Sequence, residues 1–187
     1  MNATTHAVFG VAAFAGACLA AGVEPPAYAY PAAVVAAWLP DVDNPRSRLG
    51  NGLGRMRSPA LNLLSRPLSW ALQATSFLLA RTVGHRTLTH SLLGLALFSF
   101  PVWLLLGGYP VLALALVAGY ASHLLADALN TRGVPLLWPF GRPFRLLPGG
   151  IRSGGAAEIV VAVGVLVLAG YALALLHPAL SSALGLS

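Results

Sequence analysis

VLALALVAGYASHLLADAL, residues 111–129, decides the reading of this chain. Its apolar length matches the ~20 residues that a helix needs to cross a bilayer. Its ionisable residues, His123 and Asp127, stand together near one end. Ionisable groups inside such a run are costly and usually functional. They are four apart, so a helix puts both on one face. The pair can ligate a metal, or it can be a buried hydrogen-bonded couple.

The rest of the sequence repeats the pattern. Val8–Val23 and Tyr28–Leu39 form an out-and-back pair around Glu24-Pro25-Pro26, with Ala7–Ala21 read as a retained first span. Leu92–Tyr109 precedes the decisive run, and Ile159–Leu176 follows it. Between them, Leu68–Ala80 is short, with Ser69, Gln73 and Ser76 on one helical face, which suits an interfacial or re-entrant helix. Thr131–Gly155 reads as a loop. Composition agrees: 57% of the 187 residues are hydrophobic and 9% charged, against about 25% charged in soluble domains. The fold expected is an all-α polytopic membrane bundle of about four to five spans plus that extra helix, as a single domain over residues 1–187.

Alternating the spans collects the polar residues at one end. His6 precedes the first run, Asp41 and Asp43 follow the second, and His85 and His90 precede the third. His123 and Asp127 close the fourth, and Glu158 opens the fifth. All 11 basic residues are Arg and fall at that end. The positive-inside rule then makes it the cytosolic face of a bacterial or archaeal inner membrane. Arginines in loops between spans read as topology, so no nucleic-acid partner is expected. Cys18 is alone, so neither a disulfide within the chain nor a Cys-based metal site is expected.

Each motif has a plain reading beside the chemical one. Asp41-Val42-Asp43, if extended, aims both carboxylates to one side, though Asp-rich turns are common. His85 and His90 are either converging ligands or surface histidines, with Thr87 or Thr89 expected to cap the helix after them. His6 follows Thr4-Thr5, which can cap the first helix; it is a ligand or a terminal histidine. Glu158 is a ligand or a carboxylate suited to a helix start. Arg152-Ser153-Gly154-Gly155 is an anion-binding loop or an ordinary glycine loop. Trp138, Phe140 and Phe144, interleaved with Arg142 and Arg145, read as an interfacial anchor.

Oxygen and imidazole donors without thiolate suit zinc, manganese or iron. One to three divalent ions are expected. Such ions activate water near neutral pH and clamp phosphoryl oxygens. No serine or thiol nucleophile motif competes. The expectation is a metal-dependent hydrolase, a phosphoesterase acting on a lipid or other phosphorylated substrate. Asp43, Arg86 and Arg152 are its catalytic candidates, with Arg86 or Arg152 offsetting transition-state charge. The alternatives are a non-enzymatic metal-binding membrane factor that contacts lipid or protein, and a metal transporter. Ligands at span ends count against transport, whose sites lie near the bilayer midplane.

Several blocks together resemble the YdjM-type family of inner-membrane metal-dependent hydrolases. They are Thr5-His6, Leu39-Pro40-Asp41-Val42-Asp43, His85-Arg86-Thr87-Leu88-Thr89-His90-Ser91, and His123 through Asp127 followed by Gly133-Val134-Pro135-Leu136-Leu137-Trp138-Pro139. That family is distantly similar to zinc-dependent phospholipase C and the single-strand-specific zinc nucleases. The resemblance implies metal ligation by His123 and Asp127, completed by His6, Asp41, His90, His85 and Glu158. Those soluble enzymes also use an N-terminal amino group as a ligand; no counterpart is expected at Met1-Asn2-Ala3.

Overall fold

A computed structural model describes residues 1–43 and 87–177. The segment expected to form the interfacial helix, together with His85 and Arg86, lies outside the described residues. What is described is all helical: α1 (Ala3–Ala21), α2 (Ala29–Trp38), α3 (Leu92–Leu105), α4 (Pro110–Ala128) and α5 (Ala156–Leu176). Three of these, α1, α4 and α5, are long and apolar enough to cross a bilayer, while α3 is apolar but shorter. The ten-residue α2 is shorter still and packs against α1 and α4.

Local chemistry sets the ends. Asn2, rather than either threonine, caps α1: its side chain accepts from Thr5 N at 2.9 Å. Gly22 closes that helix in the left-handed conformation, φ 64°, where a Cβ is disfavoured. Pro110 opens α4, where its missing N–H costs nothing. Ser91, not Thr87 or Thr89, caps α3, accepting from Gly94 N.

Small residues bring α1, α2 and α4 close together. A Cβ on Gly119 of α4 would run into the Ala33 carbonyl of α2, and one on Gly10 of α1 would meet Ala37 Cβ at 2.9 Å. Within a membrane, such close backbone approach supplies the packing that water-driven burial cannot. Phe14, Cys18, Ala29, Ala33 and Ala115 fill the core at the α1–α2 turn end. Toward the opposite end, Tyr120, Leu124, Ala128 and Val134 pack with Leu39, Leu95, Phe98 and Leu136. By contrast α5 leaves Ile159, Val160, Val163, Leu166, Val167 and Leu168 exposed, a surface that hydrocarbon accommodates.

The segment from Leu129 to Gly155 is pinned to the bundle. Val134 and Phe144 exchange backbone hydrogen bonds of 2.9 and 2.8 Å. Ile151 N donates to Leu129 O, and Leu146 N to Ala128 O. Leu92 N donates to Leu136 O at 2.9 Å, tying the segment to the start of α3.

Candidate metal centre

α4 carries two of the cluster's residues on one face. His123 Nε2 lies 3.7 Å from Asp127 Oδ2, one turn on. His123 Nδ1 is 2.7 Å from the Ala37 carbonyl of α2. A carbonyl only accepts, so Nδ1 bears the proton and Nε2 presents its lone pair to the cluster. The close α2–α4 approach at Gly119 and Ala33 sets that register.

His90 arrives from a 3₁₀ turn, Leu88–His90, ahead of α3. Ser91 holds the turn: its hydroxyl donates to Leu88 O at 2.7 Å and accepts from Gly94 N at 3.0 Å. Gly94 leaves room for the Leu88 carbonyl. Tyr120 adds a hydrogen bond from its hydroxyl to Thr89 O, 2.7 Å. Thr89 Oγ1 is 3.0 Å from His90 Nδ1, which leaves Nε2 to face His123 Nε2 at 3.2 Å.

Asp41 comes from the 3₁₀ turn Leu39–Asp43 that continues α2. Pro40 has no N–H for the helical ladder, so the chain tightens there. Where the sequence suggested an extended Asp-x-Asp backbone, the chain instead forms a 3₁₀ turn of about three residues per turn. Asp41 Oδ1 lies 3.6 Å from His90 Nε2 and 4.0 Å from His123 Nε2. Burial pushes its carboxyl up, but the adjoining imidazoles of His90, His123 and His6 outweigh this. They hold it well below the usual carboxylate range.

These atoms outline a cage. Among His90 Nε2, His123 Nε2, Asp41 Oδ1 and Asp127 Oδ2, five of the six separations lie between 3.2 and 4.0 Å. A four-coordinate ion with bonds of about 2.0–2.2 Å holds its donors roughly 3.3–3.6 Å apart, so the Asp41–His90–His123 trio, at 3.2, 3.6 and 4.0 Å, fits one ion with a slight contraction. His6 joins from α1: its Nε2 is 3.5 Å from Asp127 Oδ1, and its ring stacks on His123 at 3.8 Å. His6, His123 and Asp127 form a second possible donor trio beside Asp41, His90 and His123. His6, His90, His123 and Asp127 are buried, while the Asp41 side chain is 31% exposed.

Glu158 is employed differently. Its Oε1 accepts from Asn2 N at 2.6 Å and Thr5 Oγ1 at 2.8 Å; its Oε2 accepts from Gly154 N at 2.6 Å. It ties the starts of α1 and α5 together and belongs to neither donor trio. In the Arg152–Gly155 stretch, read from the sequence as an anion-binding loop or an ordinary glycine loop, the Gly154 amide is thus occupied by Glu158. Arg152 is exposed just before α5. Sequence reasoning missed one partner: the Met1 amino group lies 2.7 Å from Asp127 Oδ1. Tyr120 has no distinguishing spacing in the sequence, and Thr5, a cap candidate there, instead donates to Glu158.

The chain matches the family described as YdjM inner membrane protein over residues 1–184. It is 40% identical over 124 residues to the inner membrane protein YdjM of Escherichia coli (strain K12), covering 62% of this chain and 52% of that protein. The Shigella flexneri protein of the same name gives the same values. The chain therefore spans about half the length of these two curated relatives. The uncharacterized protein YvsG of Bacillus subtilis (strain 168) is 29% identical over 171 residues, 91% of this chain and 93% of that protein. No solved structure matches. With a match across nearly its whole length, this chain belongs to the YdjM inner membrane protein family.

Proposed function

We propose that the chain is a membrane-embedded, metal-dependent hydrolase that cleaves a phosphoester of a lipid or other phosphorylated substrate at the cytosolic face. The observation that carries this is the Asp41–His90–His123 trio beside Asp127. Asp41, the one partly exposed donor, stands at its edge. Three protein ligands with a fourth position open is the pattern of catalytic sites. Zinc, manganese or iron held there supplies Lewis acidity toward water and a phosphoryl oxygen. The protein's own part is to present His123 Nε2 through the Ala37 carbonyl and His90 Nε2 through Thr89. Asp127 sets a carboxylate against the same space. Arg152 and Arg86 are proposed to meet the anionic substrate, and Asp43 to assist near Asp41. The positive-inside bias supports the cytosolic orientation.

A second reading has an observation of its own. If Asp127 ligates as well, four protein donors close the cage, as in structural sites. The chain would then be a metal-binding membrane factor. The experiment is turnover of phosphomonoesters, phosphodiesters and phospholipids by detergent-purified protein, with and without chelator, alongside metal content and X-ray absorption. The hydrolase reading expects chelator-sensitive turnover, lost in both His123→Ala and Asp127→Ala. Tightly bound metal in a four-protein-ligand shell without turnover selects the second reading. Turnover surviving in both variants removes the site assignment.

A further inference from the structure

A cavity of about 440 Å³ lies at the metal end of the bundle, between the start of α3 and the 136–145 segment. That volume is within the roughly 300–1,000 Å³ of small-molecule sites. Leu92, Leu136, Leu137 and Phe144 give it apolar walls, and Arg142 and Arg145 stand on its lining. None of these residues belongs to either metal-donor trio. Residues 129–155 contain four Arg and no Asp or Glu. Among the described residues, neither Arg142 nor Arg145 has an ion pair.

We propose that this cavity binds one anionic phospholipid, its phosphate on Arg142 and Arg145 and an acyl chain along Leu92, Leu137 and Phe144. Two guanidinium groups without carboxylates beside them match a phosphate's charge, and their planar donor forks match its oxygens. The walls call for a hydrocarbon tail on the same molecule. The direction of that tail is also on the structure: Leu93, Leu97, Phe100 and Leu104 are exposed along α3. They recur at helical spacing and so form one stripe running from the cavity's edge into the bilayer. Leu137, Phe140 and Leu146 are exposed around the cavity's own segment, as suits the headgroup level. The site lies outside the metal cage, so this inference does not rest on the hydrolase reading.

The test is native mass spectrometry of the detergent-purified full chain titrated with dioleoyl phosphatidylglycerol or dioleoyl phosphatidylcholine. One phosphatidylglycerol per chain is expected, preferred roughly tenfold over phosphatidylcholine, as two arginines at an anionic headgroup imply. The preference should fall to within about twofold in Arg142→Gln/Arg145→Gln. Melting temperature and metal content should stay at wild-type values, and chelator should leave wild-type lipid retention intact. Should the double variant fail to fold, wild type still decides: raised salt should weaken phosphatidylglycerol retention and spare phosphatidylcholine. Equal retention of both lipids by wild type overturns the proposal. So does unchanged preference in the folded double variant, or displacement of the lipid by inorganic phosphate at matched concentration, which would make this a free-anion site.

Discussion

At the scale of single residues, the centre depends on groups that aim the donors as much as on the donors. Thr89 and the Ala37 carbonyl each occupy a ring Nδ1 and leave Nε2 facing inward. Partners of this kind are worth about 10–100-fold in metal affinity. Thr89→Val should therefore weaken binding by about that factor, and Thr89→Ser should keep it, in a competition titration against a chromophoric chelator. Glu158 has a different job. Its three donors come from Asn2, Thr5 and Gly154, and an amide in its place turns an NH₂ toward one of them. Glu158→Gln should cost about 1–3 kcal/mol in detergent unfolding, while metal stoichiometry at saturation stays unchanged. A loss of bound metal in the folded variant would instead make Glu158 a ligand.

Among the elements, α2 and α4 set the geometry of the site through their backbones. His123 reaches Ala37 O because Gly119 lets α4 approach Ala33 closely. Gly119→Ala should cost about 1–3 kcal/mol by overpacking and should lower metal affinity, since the Ala37–His123 contact lies one helical turn away. Gly164, on α5, has open space where a Cβ would go. Gly164→Ala should be neutral or stabilise by up to about 1 kcal/mol, as alanine suits a helix better. Thermal unfolding of the two variants in one detergent, with metal content read in parallel, checks both. Equal behaviour would detach the α2–α4 contact from the site. The 3₁₀ turns bearing Asp41 and His90 show what periodicity misses: each is a short tightening at a helix end, set by Pro40 in one case and by the Ser91–Gly94 cap in the other.

For the whole molecule, the alternation of helices brings the starts of α1, α3 and α5 to the same end as the finishes of α2 and α4. That end carries the His–Asp donor cluster and the arginine cavity; Glu24, Tyr30 and His177 meet at the other. If the metal end faces the cytosol, a cysteine there is shielded from outside. In a Cys18→Ala background, Ser153→Cys should escape a membrane-impermeant maleimide added to intact cells, whereas Gly108→Cys should be labelled. The reverse pattern would invert the topology and move the proposed chemistry to the other face.

Read by itself, the sequence determined that the protein is a helical membrane bundle, where its long helices run, and which ends gather the histidines and acids. Hydrocarbon thickness and the cost of charge within it act directly on linear sequence, so an apolar run of the right length is its own evidence. The His123–Asp127 pair was legible for a similar reason, because four residues make about one turn. Only the tertiary structure decided how the acids divide their work. Asp41 and Asp127 face imidazoles, while Glu158, at the same end of the bundle, is held by backbone amides and Thr5. A carboxylate's role follows from the donors around it, and those come from residues far off in the chain, such as Asn2 beside Glu158 and Met1 beside Asp127. The stacking of His6 on His123 and the shared cavity of Leu92 with Arg145 have the same origin. Both arise from contacts between elements, which no local spacing encodes.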